Sequence, residues 1–236
     1  MPTRVMSTRI DSWDQRYRAG EQVLEKPAPL VVEFTKSLAP GTVLDLASGP
    51  GRNAVYLAGL GWCVTAVDGS PTAIELLRAS NSAIDARLAD LEAGEFEIPA
   101  GAFDLVLSCY YLQRSLIAPI KAALRPGGLL IMIVLLAAAD QPQGAPTRAC
   151  PGELQAFFEG WRILHYRESG DGRAIAELVA QKPAWPDTKG PRATQVFGSA
   201  GSAVGGGALD GTGPRGWFRV ASQRRSTSSS VATSKR

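Results

Sequence analysis

Cysteine and histidine are scarce in this chain: three cysteines, Cys63, Cys109 and Cys150, and one histidine, His165, in 236 residues. The cysteines show no paired spacing. That argues against a disulfide framework and predicts reduced thiols in a cytoplasmic protein. With a lone histidine in an apparent strand, a Cys/His metal site is not expected either. Long apolar runs are missing too. The strongest, Leu129 to Ala139, has 11 residues, too short to cross a bilayer. It follows Gly127-Gly128 and reads as a central strand buried on both faces. Arg4, Arg9 and Asp11 interrupt the first residues, so neither a secretory leader nor a membrane association is expected. The body also lacks positive charge. Residues 183–236 carry eight basic and two acidic side chains, a net +6, which leaves −3 for residues 1–182 out of the total of +3. A mildly acidic body gives no footing for a nucleic-acid partner.

What is present is concentrated in Val43-Leu44-Asp45-Leu46-Ala47-Ser48-Gly49-Pro50-Gly51-Arg52-Asn53-Ala54. An apolar strand runs into a glycine turn and then a helix. Gly49 and Gly51 can take positive φ and admit a ligand to the backbone, and Pro50 stiffens the turn between them. The free amides and positive dipole end of the helix favour a carboxylate or phosphate. A second acid, Asp68, ends the next apolar run, Cys63–Val67, 17 positions after Gly51. That spacing suits a carboxylate gripping ribose hydroxyls. The turn also satisfies Gly-x-Gly-x-x-Ala, a dinucleotide fingerprint, so a nicotinamide-dependent oxidoreductase is a competing reading. Asp45 decides between them: a carboxylate in the strand ahead of the turn repels a pyrophosphate and attracts an amino group. S-adenosylmethionine offers an ammonium, a sulfonium and a carboxylate, and no phosphate.

Elsewhere, apolar runs and helical segments alternate. Strands are predicted at about 42–47, 63–67, 85–88, 103–108 and 128–136, and helices at about 12–19, 28–38, 51–60, 71–80, 115–124 and 151–159. Ser70-Pro71 is a helix start with a serine cap. Alternating strands and helices imply right-handed crossovers and a parallel sheet. Trp161–Glu168, Gly170-Asp171-Gly172 and Arg173–Ala180 read as a terminal β-hairpin. The fold class is therefore α/β: a doubly wound, Rossmann-like sheet of seven strands, mostly parallel, with an antiparallel hairpin at the C-terminal end. From residue 183 the periodicity dissolves into Pro, Gly, Ser, Thr and Arg, so residues 1–182 are read as one domain and 183–236 as a disordered basic tail.

With these residues in place the chain resembles the class I S-adenosylmethionine-dependent methyltransferases. Ala86–Leu91 resembles the family's third strand end, Phe103–Ser108 its fourth strand, and Leu124-Arg125-Pro126-Gly127-Gly128 its turn into strand five. Trp13-Asp14-Gln15-Arg16-Tyr17 resembles the N-terminal helix that lids the cofactor in small-molecule members. Pro151-Gly152-Glu153-Leu154, Phe157-Phe158 and Gly160–Ile163 are similar to the group with the tellurite-resistance and thiopurine methyltransferases. The resemblance implies S-adenosylmethionine as cofactor and a small-molecule methyl acceptor. It implies that Asp45 and the Gly49–Gly51 turn hold the methionine end, with Ala47 beside it, and that Asn53 is also cofactor-binding. Asp68, assisted by Ser70, would take the ribose; Asp90 and Leu91 the adenine; Tyr17 and Arg16 the cofactor carboxylate; Ser108 is also counted as cofactor-binding. Position 47 is alanine where the family usually has glycine. Tyr110, Tyr111 and Arg114, with Cys109, follow strand four, where an acceptor would sit. That segment is not the Asn/Asp-Pro-Pro-Tyr run of base-methylating enzymes. No residue is singled out as catalytic and no metal is expected. A cofactor-binding regulatory module without turnover is the third reading.

Overall fold

The structure, a computed structural model, describes residues 8–21, 26–137, 146–170 and 174–184. The predicted tail therefore lies outside the described residues apart from its first two, as does most of the hairpin tip. Two helices precede the sheet: α1 (Thr8–Arg18) and α2 (Pro29–Thr35). Then strands and helices alternate: β1 (Thr42–Leu46), α3 (Arg52–Gly59), β2 (Cys63–Asp68), α4 (Pro71–Ser80), β3 (Asp85–Leu88) and β4 (Phe103–Cys109). A 3₁₀ turn at Arg114–Leu116 leads into α5 (Ile117–Ala123), followed by β5 (Leu124–Leu136), β6 (Arg148–Ala149), α6 (Glu153–Ala156), β7 (Arg162–Ser169) and β8 (Ile175–Gln181).

The strands form one sheet in the order β3-β2-β1-β4-β5-β8-β7, with β6 pairing parallel to the end of β5. The pairs β1–β2, β1–β4, β2–β3 and β4–β5 are parallel, whereas β8 is antiparallel to both β5 and β7. This is the doubly wound sheet with its antiparallel end. The two-residue β6 is an addition to the seven strands read from the sequence; so short an element has no periodicity to detect. Strand order reverses beside β1, whose neighbours are β2 and β4. In such sheets a crevice opens beyond the carboxyl ends of the strands at that point.

Alternation along each strand feeds two cores, one per face. Leu44 and Leu46 join Val106, Leu130 and Met132 on one face. Val43 joins Ala66, Leu105, Leu107 and Ile131 on the other, together with Leu57 of α3 and Leu77 of α4. Gly51 is a requirement of this packing. Its φ is +88°, and a Cβ there would lie 2.2 Å from Leu77 Cδ1. β5 begins four residues before the predicted strand, at Leu124. The pairing then skips from Phe103↔Leu124 to Leu105↔Leu129, so Arg125–Gly128 form a bulge. α6 is shorter than predicted because its last turn tightens: Phe158 N–H bonds to Gln155 O and Glu159 N–H to Ala156 O.

Candidate functional site

Asp45 lies at a position that strand alternation assigns to the core. It is paired across the sheet with Ala66 and Leu107, both wholly buried, and is itself 1 % exposed. Its Oδ2 has no hydrogen-bond partner among the described residues. Burial, with Arg52 opposing it and Asp68 adding to it, pushes the carboxyl up to about 7. A buried acceptor without a donor costs stability unless a ligand supplies one.

The acid faces a cavity of about 340 Å³ at the carboxyl ends of β1, β2 and β4. Beyond β1, Ala47 takes a left-handed φ of +52°. Gly49 is free of a side chain for a visible reason: a Cβ there would stand 2.9 Å from the Tyr17 hydroxyl of α1. Asp68, at the end of β2, accepts from Gly49 N–H on one oxygen and from Ser70 N–H on the other, each at 2.8 Å. Burial raises its carboxyl despite these bonds. With one such donor on each oxygen, the carboxylate has acceptor capacity left. Past β3, Asp90 uses Oδ1 to cap the next turn, accepting from Glu92 and Ala93 N–H. Leu91 is buried beside it, its carbonyl held by Gln113 Nε2.

α1 closes one side. Trp13 and Tyr17 stack at 5.9 Å, and both line the cavity with Arg9 and Ile10. The helix is pinned by Asp14, 2 % exposed, which accepts from Ser70 Oγ at 2.7 Å and Thr72 N–H at 2.9 Å and pairs with Arg18. Arg9 pairs with Glu92 and lies over the Tyr111 ring.

Of the residues singled out from sequence, Tyr17, Asp45, Ala47, Gly49, Asn53, Asp68, Ser70, Asp90, Leu91, Tyr110 and Tyr111 line this one cavity. Two of them are engaged in structure. Ser70 Oγ caps α4 by accepting from Ala73 N–H and donates to Asp14. Asn53 Oδ1 holds α2 through Ala28 N–H. Four others stand outside the lining. Gly51 is a packing glycine. Ser108 Oγ donates to the Tyr111 carbonyl. Arg16 is exposed and lies over Trp13. Arg114 is bound to Glu153 and to the carbonyls of Pro146 and Arg148, so it staples the region before α5 to that around β6 and α6. Arg9, Trp13 and Arg52 belong to the lining although none was singled out as a site residue from the sequence, Trp13 being read only as part of the lid helix. For the first two, helical spacing was the available signal: 9, 13 and 17 lie on one face at i, i+4 and i+8. Arg16 falls on the neighbouring face.

Cys109 and Tyr111 line the same cavity at and beyond the end of β4. Burial pushes the Cys109 thiol far up, with Asp45 adding to it, and pushes the Tyr111 hydroxyl up to about 12. Both hold their protons at neutral pH.

Sheet order, glycine turn and strand-end acids together define the Rossmann-like fold of the class I S-adenosylmethionine-dependent methyltransferases. Residues 14–174 match the family described as Tellurite resistance protein TehB, and the chain belongs to that family. Hemagglutinin 1 of Eikenella corrodens is 30% identical over 179 residues, which are 64% of this chain and 58% of that protein. The probable S-adenosyl-L-methionine-dependent methyltransferase TehB of Haemophilus influenzae is 29% identical over 152 residues, 59% of this chain and 52% of its own. The crystal structure of TehB from Haemophilus influenzae superposes with a TM-score of 0.60 at 24% identity, covering 72% of this chain and 67% of that one. The chain spans about half the length of the curated relatives it matches.

The residues present fit the methyl donor of that class. The unpartnered oxygen of Asp45 suits an ammonium, Asp68 has acceptor capacity left for hydroxyls, and Asp90 has a second carboxylate oxygen for an amino group. Three carboxylates along one cavity would repel a pyrophosphate.

Proposed function

We propose that the chain is a methyltransferase that uses S-adenosylmethionine to methylate a small-molecule nucleophile. The observation that carries this reading is the buried carboxylate of Asp45, a lining residue of the cavity with one oxygen unsatisfied. In this reading Asp45 takes the donor's ammonium, Asp68 the ribose hydroxyls, and Asp90 the adenine amino group, with Leu91 against the ring face. Trp13 and Tyr17 cover the site from α1. When bound, the donor supplies a methyl group on sulfonium sulfur, an electrophile with a good leaving group. What this chain's residues contribute is alignment and exclusion of water. Cys109 and Tyr111 hold their protons and do not serve as bases at neutral pH, so the acceptor must bring its own nucleophilic lone pair.

The acidic body supports a small acceptor rather than a nucleic acid. The three free thiols suit the cytoplasm, and among the described residues no helix is long and apolar enough to cross a membrane. Residues 1–182 form the methyltransferase domain in this reading, with 183–236 as an appended tail.

Calorimetric titration with S-adenosylhomocysteine and with NAD tests the reading. The homocysteine compound should bind and NAD should not. Tight NAD binding with no response to S-adenosylhomocysteine would overturn it. Methyl-donor turnover over a panel of thiols, carboxylates and metalloid oxyanions then tests catalysis. Donor binding with no transfer to any of them would point to a regulatory module.

A further inference from the structure

Tyr111 follows β4, where an acceptor would sit, but its side chain is tied to the Asp90–Leu91 end of the cavity. Its hydroxyl donates to Gln113 Oε1. Its ring lies under Arg9, whose guanidinium pairs with Glu92. Gln113 makes the tie. Its Nε2 donates to the Leu91 carbonyl at 3.1 Å and to Ser115 Oγ at 3.0 Å. One amide thus joins two lining residues that come from different strand ends.

That amide is fixed in orientation. Nε2 has two hydrogens and two acceptors, and Oε1 has its donor, so a half-turn about the last bond of the side chain breaks all three contacts. Its mount is firm as well. Gln113 is extended (φ −136°, ψ 109°), and Tyr111, two positions back, shares its face, while Leu112 between them is buried in the core. Ser108 Oγ holds the Tyr111 carbonyl, and Arg114 is bound to Glu153. On the β3 side Leu91 is buried, and Asp90 caps the turn that follows.

We propose that Gln113 is a positioning residue for the donor's base: by holding the Leu91 backbone and the Tyr111 hydroxyl in one amide, it sets the separation between two walls of the slot beside Asp90. This rests on the donor-pocket reading, in which Asp90 takes the adenine amino group and Leu91 lies against the ring face. Gln113 stands outside the lining, so it acts through Leu91 and Tyr111. A hydrogen bond to an amino group is directional, and a slot free to widen lets the base tilt off that line. An acid alone accepts from any donor that reaches it. An acid beside a slot of fixed width reads one edge of one base, and that width is what the second layer supplies.

Calorimetry with S-adenosylhomocysteine and with S-inosylhomocysteine, which carries a carbonyl where adenine has its amino group, tests the assignment. The natural protein should favour the adenosyl compound about 10–100-fold, the range of a hydrogen bond to a charged group. Gln113→Met removes both ends of the tie. Gln113→Glu keeps an acceptor for the Tyr111 hydroxyl but sets a carboxylate against the Leu91 carbonyl. In both variants the preference should fall below about 3-fold, chiefly through weaker binding of the adenosyl compound. The Leu91 carbonyl keeps a second donor, the Gly94 N–H, so neither variant leaves it bare. Tyr111→Phe added to Gln113→Met should lower the preference no further than Gln113→Met alone, because the two act through one tie. An unchanged preference, equal weakening of both compounds, or a further fall in the double variant overturns the assignment, as does a natural protein that binds the two compounds alike. Failure of the natural protein to bind S-adenosylhomocysteine at all would instead bring down the donor-pocket reading itself.

Discussion

At the scale of single residues, Asp45 is a carboxylate buried at a cost in stability. Its carboxyl is raised to about 7 by burial, with Asp68 adding to the shift and Arg52 and the Ala54 N–H opposing it. A raised carboxyl binds a proton more tightly in the folded than in the unfolded chain, whose ordinary value is near 3.8. Between about pH 4 and pH 7 the folded state therefore holds more protons. Stability of the ligand-free protein should fall as pH rises through that window and level off above it, a penalty of up to about 4 kcal/mol. Asp45→Asn removes the penalty. At pH 8 the variant should melt above the natural protein in the absence of ligand, and at pH 5 the gap should narrow to less than half. Binding should move the opposite way. Only the ionised acid attracts an ammonium, so S-adenosylhomocysteine affinity of the natural protein should drop about tenfold per unit below pH 7. The variant should bind weakly at every pH. Titrations across pH 5–8 check both limbs, and a flat affinity profile for the natural protein would remove Asp45 from the ammonium.

The same residue explains why part of the site was legible in the sequence. A carboxylate inside an apolar strand violates alternation, and a violation just ahead of a glycine turn signals function. Asp68 was legible because it ends a strand, and Asp90 because it follows one by two residues. Arg52 was not, because a polar first residue is ordinary for a helix and nothing in its neighbours tells whether it faces solvent or crevice. Arg114 misled for the converse reason: its partners, Glu153 and the carbonyls of Pro146 and Arg148, lie more than 30 positions away along the chain.

At the scale of elements, α1 is a cover attached at few points. Burial would raise the Asp14 carboxyl, but bonds from Ser70 and Thr72 and the charge of Arg18 outweigh it, and the group ends below the ordinary range. A depressed carboxyl stabilises the folded state above its unfolded pKa and loses that effect as pH falls through the folded value. The clamp is thus intact at neutral pH and released only in acid. Asp14→Ala should cut it at any pH. The loss is local, since Ser70 still caps α4 through Ala73. Amide hydrogens of residues 9–18 should exchange at least about tenfold faster, consistent with a cost of roughly 1.5–3 kcal/mol for the charged hydrogen bonds. Donor affinity should fall with them, while the strands of the sheet keep their protection. Uniform loss of protection across β1, β4 and β5 would show that α1 is integral to the core and not a cover. The element boundaries obey the same logic. Strand cores were legible from apolar runs, whereas the early start of β5 depends on a bulge imposed by β4, which no local pattern announces.

At the scale of the whole molecule, the question is where the folded unit ends. The family match stops at residue 174, one position before β8 begins. The sheet nevertheless requires β8. That strand lies between β5 and β7, and Ala176, Leu178, Val179 and Ala180 are each 0 % exposed. Burying Leu178 and Val179 alone stabilises the fold by about 1.5–3 kcal/mol apiece. Lys182 then ties the end down: Nζ donates to the carbonyls of Lys121 and Leu124 at the end of α5, and its backbone pairs with Gly127 and Gly128. A chain ending after Ala184 retains every one of these contacts. It should bind S-adenosylhomocysteine within about twofold of the full chain and melt within a few degrees of it, since every described residue that lines the cavity or closes the sheet is kept. A chain ending after Ala174 should fail to fold, because β7 loses its partner and β5 exposes an apolar edge. Loss of donor binding in the chain that ends after Ala184 would place residues 185–236 in the site and enlarge the functional unit beyond the sheet.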